Sequence, residues 1–240
     1  MKNDLPVITS ETGLEEQSFF SQAYTTIEKL IVTLELKPGQ VVSENMLANL
    51  LGLGRTPVRE ALQMLARDGL VVIFPKRGIV ISEMDVSKQL RMLEVRREVE
   101  RYLVGASARR ARPEERQHFL TLAKDMDRAA KTNDGEAFLA MDLEFNKLLL
   151  STARNEFAVS AMRLIQGLSS RFWFAHYRDS ANLPVAARLH ACIARAIAES
   201  NEEEACICLD KLLDNVDEFT RSTLNPDRST RPPYQQSRKR

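Results

Sequence analysis

Two arginines four residues apart, Arg55 and Arg59, stand on either side of Pro57 in the segment GLGRTPVREALQMLARDGLVV (52–72). Proline is tolerated only in the first turn of a helix, because its missing N–H has no partner to lose there. Pro57 therefore places Arg55, Thr56 and Arg59 at the start of a helix. Arginine can pair bidentately with guanine O6 and N7, and a threonine hydroxyl can hold a phosphate. These residue types at this spacing predict contact with DNA.

The charge around this segment is locally basic, although the whole chain has a formal net charge of only +1. Between positions 54 and 78, five basic residues stand against two acidic ones. The basic residues are Arg55, Arg59, Arg67, Lys76 and Arg77. A solvated helix face would also explain any one of these arginines. The order of the surrounding elements is what favours DNA.

Those elements are three helices and a hairpin, predicted at 18–36, 43–52, 54–69 and 70–82. Ser43 is an N-cap residue type, and Gly52 and Gly69 are typical helix ends. The hairpin consists of two apolar runs on either side of PKRG (75–78). Three helices followed by a hairpin predict a winged helix-turn-helix domain over residues 18–84.

The rest of the chain has only helical patterns, which predict a mostly α protein with an all-α bundle of about six helices over 85–224. The predicted helices are 86–110, 114–132, 135–152, 156–178, 184–199 and 202–223, with no strand after Ser82. Start signals are Pro113, Asp134, Asn155, Pro184 and Asn201. Residues 1–17 are predicted to be a flexible arm and 225–240 a disordered tail.

Three cysteines, at positions 192, 206 and 208, show no C-x-x-C spacing and are odd in number. They are interpreted as buried thiols of a reducing compartment rather than as a disulfide or metal site. No apolar run approaches the roughly 18 residues that a membrane span needs, and there is no signal-peptide pattern. A cytoplasmic protein is expected.

The segment SENMLANLLGLGRTPVREALQMLARDGLVV, closed by PKRGIVIS, resembles the winged-helix domain of GntR-family transcription regulators. The helical remainder resembles the effector domain of the FadR subgroup, called FCD, through LEVRREVE, DLEFN and RLHACIARAIAESNEEEA. The resemblance covers roughly residues 18–223. It implies a homodimeric DNA-binding regulator, a repressor of an inverted-repeat operator that is relieved by a small carboxylate-type metabolite.

Carried onto matching positions, the resemblance implies base contacts from two arginines, phosphate contacts from the helix starts and a minor-groove approach by the wing tip. The residues concerned, with the basic wing residues, are Ser43, Glu44, Asn45, Arg55, Thr56, Arg59, Lys76, Arg77 and Gly78. Gly54 departs from the family, which usually has Ser or Thr there, so a side-chain cap or a phosphate contact is lost.

In many relatives one Asp and three His bind a divalent metal at the centre of the bundle, and the effector completes its coordination. Asp142 and His190 match this set, Asn146 replaces the first His, and Leu212 falls where the last should be. Amide oxygen is a poor zinc ligand and leucine offers nothing. The favoured interpretation is that Asp142, Asn146 and His190 form a hydrogen-bonded polar cluster in an effector pocket. The one candidate cofactor is a divalent metal bound weakly by these three residues.

Arg96 matches an arginine that faces this pocket in relatives, and a guanidinium suits an anionic effector. The equally weighted alternative is a surface arginine paired with Glu100 at i+4. Trp173 is expected to pack against a helix or a second subunit rather than stack on a ligand. His118 and His176 are interpreted as surface or packing residues.

Two other function classes stay open. One is a DNA-binding dimer that needs no effector, in which the helical domain only dimerises. The other is an all-helical metal-dependent hydrolase using Asp142 and His190, although the incomplete ligand set counts against it. A non-enzyme is expected.

Overall fold

A computed structural model describes residues 11–75, 77–176 and 183–224. The chain divides into two compact units, with the boundary between Glu83 and Met84. The first unit contains α1 (Glu11–Val32), β1 (Val41–Val42), α2 (Glu44–Leu51), α3 (Arg55–Arg67), β2 (Val71–Phe74) and β3 (Gly78–Ile81).

Helix α1 begins at Glu11 and ends at Val32, not at 18 and 36 as predicted. Residues 11–17 are therefore helical rather than part of a flexible arm, while residues 1–10 lie outside the described part. Apolar residues recur at helical spacing only from Phe19 onward, which is why the helix was predicted to begin at 18, but the Glu, Gln and Leu residues of 11–17 are good helix formers. Ala23, Ile27 and Ile31 are fully buried as the period predicted, whereas Phe19 is exposed.

Helices α2 and α3 form the predicted helix-turn-helix. Ser43 accepts a hydrogen bond from the Met46 N–H, and Gly52 ends α2 in the left-handed conformation with φ 64°. Helix α3 presents Val58, Ala61, Leu62 and Leu65 as its buried face, and it packs against α1. The burial of this face fixes which side of α3 remains exposed.

The three strands form one antiparallel sheet in the order β1–β3–β2. Pairing of Val72 with Val80 and of Phe74 with Gly78 confirms the predicted hairpin. Strand β1, which pairs Val41 with Val80, was not predicted because two residues carry no readable alternation.

The second unit contains α4 (Val86–Arg110), α5 (Pro113–Thr132), α6 (Gly135–Ala153), α7 (Glu156–His176), α8 (Leu183–Ala198) and α9 (Glu202–Ser222). These bounds agree with the predicted helices to within two residues, and no strand is found here among the described residues. Asp134 and Asn201 cap α6 and α9 by accepting hydrogen bonds from backbone N–H groups. The mostly α fold with a small winged domain is thus confirmed.

The core of the second unit lies between helix pairs α5–α8, α4–α9 and α8–α9. Phe119, Met126, Phe145 and Leu149 are almost completely buried, and the rings of Phe119 and Phe145 meet edge to face at 5.9 Å. None of the helices in the described ranges is long and apolar enough to cross a membrane.

The prediction of three buried thiols is wrong. Cys192 on α8 and Cys208 on α9 form a disulfide with a Cα–Cα distance of 6.0 Å, while Cys206 is free and partly exposed. A separation of 16 residues matches no local cysteine motif. The turn between the two helices folds α9 back against α8 and brings the residues together.

Candidate nucleic-acid interface and ligand cavity

A groove in the first unit, called here the α3 groove, collects side chains from the starts of α2 and α3 and from the hairpin. Six predicted contact residues line it: Ser43, Glu44, Asn45, Arg55, Arg59 and Gly78. Thr56 and Arg77 are exposed nearby in sequence but do not line the groove, and Lys76 lies outside the described residues. Residues distant in sequence therefore share one surface.

Glu44 lies between the two arginines of this groove in charge terms, with Arg59 hydrogen-bonded to it and Arg55 close by. Its carboxylate accepts hydrogen bonds from Arg59 Nε at 2.9 Å and Nη2 at 2.8 Å, and Arg55 Nη2 lies 3.8 Å away. The hydrogen bond from Arg59 is the main cause of a lowered pKa at Glu44, and the same bond raises the pKa of Arg59. Glu44 thus orients the Arg59 guanidinium and attracts that of Arg55, a role that the resemblance did not indicate.

The start of α3 is positively polarised. Gly54 is its N-cap and provides no side-chain hydrogen bond, and the first turn contains no acidic residue. The first N–H groups of a helix lack intrahelical partners and carry the positive end of the helix dipole. With Arg55 and Arg59 side by side, this end of α3 suits phosphate and the acceptor-rich edge of guanine.

A cavity of about 40 Å³ in the second unit, partly open to solvent, is lined by residues of α4, α6, α7, α8 and α9. The four predicted effector residues, Arg96, Asp142, Asn146 and His190, all line it. The other lining residues are Phe138, Leu139, Met162, Gln166, Ser169, Ser170, Trp173, Ala186, Leu212 and Val216. The wall is mainly apolar with a few convergent polar groups, as is common for small-molecule sites.

Asp142, Asn146 and His190 form the hydrogen-bonded cluster favoured by the sequence. His190 Nε2 lies 3.1 Å from Asp142 Oδ1, and Asn146 Nδ2 donates to the same oxygen at 3.1 Å. His190 Nδ1 lies 2.8 Å from the Ala186 carbonyl oxygen, so two acceptors face the ring and favour imidazolium. Burial lowers the pKa of His190, but the hydrogen bond and charge of Asp142 outweigh burial and raise it.

Arg96 both lines the cavity and pairs with Glu100, so it has a feature of each alternative drawn from the sequence. It pairs with Glu100 through Nε at 2.6 Å and Nη2 at 3.1 Å, and Nη1 donates to Ser169 at 2.6 Å. The pair is buried rather than on the surface, with side chains 11% and 3% exposed. Among the described residues these bonds use three of the five guanidinium N–H groups, so two remain for a ligand.

The residues around Asp142 do not fit the metal implied by relatives. Asp142 Oδ1 already accepts two N–H donors, and Leu212 supplies a hydrocarbon side chain to the cavity wall. Arg96 is close enough to interact electrostatically with Asp142 and His190, and its charge opposes a divalent cation. The hydrolase alternative would need a metal ion at these same residues.

Chelation is therefore expected to leave the melting temperature of the protein unchanged. The measurement is elemental analysis and thermal unfolding before and after treatment with EDTA. Retention of one metal ion per chain that is lost on His190→Ala substitution would contradict the assignment. Cys192, Glu204 and Cys208 form a second group that could hold a metal ion, since their ligand atoms lie within 4.8 Å of one another. The His190→Ala variant leaves these three residues unchanged, so it shows which of the two groups holds a retained ion.

Trp173, His118 and His176 each contact a neighbouring side chain. Trp173 packs against Phe138 with ring centroids 5.2 Å apart, although it also lines the cavity. His118 lies at the surface near Glu144 at 2.7 Å, and His176 stacks on Phe172. The sequence did not predict the contact of Arg96 with Ser169, because no local sequence signal indicates it.

Comparison with known proteins supports the interpretation of both units. Residues 20–81 match the bacterial regulatory proteins of the gntR family, and residues 91–215 match the FCD domain. A regulator in an unstable DNA locus of Streptomyces ambofaciens is 48% identical over 65 residues, 27% of this chain and 28% of that protein. The Nta operon transcriptional regulator of Aminobacter aminovorans is 25% identical over 175 residues, 73% of this chain and 81% of that protein.

The fold has a counterpart in E. coli McbR/YncC, with a TM-score of 0.73 and 18% identity over 86% of this chain and 99% of that one. At this identity the likeness concerns the fold alone. The two family matches together with the α3 groove carry the assignment: the chain belongs to the GntR family of DNA-binding transcription regulators and carries an FCD domain.

Proposed function

We propose that the protein is a dimeric repressor that binds an inverted-repeat operator and is controlled by a small organic acid in the cavity of the second unit. The observation that carries the DNA-binding part is the α3 groove, in which Arg55 and Arg59 lie side by side at an uncapped helix start. Such a helix enters the major groove with its first residues toward the base edges.

Glu44 gives the free protein a defined arginine geometry. An exposed arginine loses side-chain entropy when it binds a base, and a side chain already held in place loses less. The bidentate contact of Arg59 with Glu44 supplies such pre-organisation. The Glu44 carboxylate also repels phosphate. A duplex that brings its phosphates close to Glu44 therefore gains less binding free energy from the two arginines. We therefore assign Glu44 a role in selectivity rather than in phosphate contact.

A homodimer would place two recognition helices on successive major grooves, about 34–36 Å apart along the duplex. The second unit has large apolar side chains exposed on its helices, including Val95, Leu143, Phe157 and Leu164. Association of two copies would remove part of this exposed apolar surface from water, which is compatible with dimerisation through this unit. Binding to an operator next to a promoter would exclude other proteins from that DNA and so repress transcription.

The effector is proposed to bring its carboxylate to the two N–H groups of Arg96 that the described contacts leave available. Glu100 and Ser169 hold the guanidinium in place, while Gln166 and Ser170 add polar groups to the cavity wall. An effector that prefers one arrangement of the helices shifts the population toward it, by no more than its differential affinity. A regulator of this kind acts where the DNA is, in the cytoplasm.

Selection of fragmented genomic DNA on the purified protein, followed by sequencing, tests the proposal. The expected result is enrichment of a few sites that share one inverted repeat, with release by an organic acid processed by products of neighbouring genes. Uniform retention of fragments would contradict operator recognition. Operator binding that no organic acid alters, with no rise in melting temperature, would favour the effector-independent dimer instead.

A further inference from the structure

We propose that Cys192 and Cys208 form a reversible thiol–disulfide site, through which oxidation fixes the wall of the ligand cavity. The two cysteines join neighbouring helices, Cys192 on α8 and Cys208 on α9, and their Cα atoms are 6.0 Å apart. This distance lies inside the range of 4.4–6.8 Å that a disulfide requires. The helices are already packed against each other, so no large movement is needed to make or break the bond.

Reversibility follows from where such a protein works, and this step rests on the proposed function. A DNA-bound regulator shares a compartment with thiol reductants, in which disulfides are usually transient and serve redox sensing or catalysis. A permanent structural bridge is therefore not expected there. Between the two cysteines, Cys192 is the entry point, because it is partly exposed whereas Cys208 is completely buried.

The chemistry balances with peroxide as the oxidant. The Cys192 thiolate attacks peroxide, the O–O bond breaks, and a sulfenic acid and hydroxide form. The Cys208 thiol then attacks the oxidised sulfur, the S–S bond forms, and the S–O bond breaks with loss of water. In total two thiols and one hydrogen peroxide give one disulfide and two water molecules. A dithiol reverses the step by exchange, becoming a disulfide itself.

The bond joins the two helices that carry His190 and Leu212. On α9, Leu212 follows Cys208 by four positions and so lies on the same helical face, whereas on α8, His190 precedes Cys192 by two positions and lies on a different face of the same turn. His190 and Leu212 both line the cavity. A covalent link between the helices limits their relative movement, so the oxidised protein holds these two wall residues in one arrangement. Reduction permits other arrangements and changes the fit of a ligand.

The third cysteine provides an internal control. Cys206 lies on α9, but its sulfur contacts the Arg101 carbonyl oxygen at 3.9 Å and not Cys192. Burial is the largest cause of its raised pKa, and a raised pKa means less of the reactive thiolate at neutral pH. Cys206 is therefore expected to stay reduced under mild oxidation.

The test uses the full-length protein treated with hydrogen peroxide or with dithiothreitol. Peptide mapping without reduction is expected to find Cys192 joined to Cys208 only after peroxide. Closing a loop of about 16 residues raises the melting temperature by roughly 5 to 10 °C. Trp173 is the only tryptophan and lines the cavity, so its emission is expected to shift with oxidation state.

Cys208→Ser should abolish all three responses, and Cys206→Ser should retain them. A bridge that involves Cys206, no bridge after peroxide, or a bridge that dithiothreitol leaves intact would overturn the proposal. Bridging without any change in Trp173 emission would overturn the coupling to the cavity. None of these measurements needs DNA or an effector, so a failure of the proposed function would be seen separately.

Discussion

Arg59→Ala is expected to weaken binding to the operator by about 5- to 150-fold, which corresponds to roughly 1–3 kcal/mol. The physical reason is the loss of a bidentate donor at the start of α3, where the guanidinium is exposed and held by Glu44. Binding to random duplex should fall less, because only the phosphate attraction of one positive charge is lost. Base preference at one operator position should therefore relax.

The measurement is fluorescence anisotropy with the selected operator and a scrambled duplex, at one fixed salt concentration. Arg67→Ala is the matched control, because it removes the same charge from the exposed last turn of the same helix. The residues are eight positions apart, about 12 Å along the helix. Equal losses on both duplexes, or equal effects of the two variants, would refute base reading by Arg59.

The elements that position this site were predictable because their signals are local. Ser43 and Gly52 delimit α2 through a side-chain hydrogen bond and a left-handed backbone, and Pro57 fixes the first turn of α3. Asp134 and Asn201 do the same for α6 and α9. In each case the residue type acts on the backbone within four positions, by capping it, by adopting a left-handed φ or by lacking an N–H, so the sequence suffices.

The partners of the functional side chains were less predictable because they depend on packing between distant elements. Glu44 reaches Arg59 only because α2 and α3 cross, and Ser169 reaches Arg96 from 73 positions away. The Cys192–Cys208 disulfide arises from the same kind of contact. Strand β1 depends on pairing with β3, not on its own two residues.

Substitution of Arg96 is expected to cost a large part of the protein's stability. Arg96→Ala is expected to lower the free energy of unfolding by about 3–5 kcal/mol, because it leaves the Glu100 carboxylate buried without its partner. Glu100 is 2% exposed and cannot reach water without local rearrangement. Effector binding should be lost as well, since the same guanidinium supplies the remaining donors. The measurement is urea-induced unfolding of both variant and parent, followed by circular dichroism.

Two further variants distinguish the effect of leaving Glu100 unpaired from the effect of shortening the Arg96 side chain. Arg97→Ala, at the next position, removes a partly exposed arginine that pairs with Asp210 and Asp214, and pairs that water can reach contribute only about 0–1 kcal/mol. Arg96→Met combined with Glu100→Leu removes both buried charges, and its stability should return to near that of the parent because apolar residues of similar volume replace a buried ion pair at little cost. That double variant should still bind DNA through the α3 groove but should not respond to the effector.

If the double variant were as unstable as Arg96→Ala, the loss of stability would come from packing and not from an unpaired carboxylate. If it kept the effector response, Arg96 would not be the residue that receives the ligand.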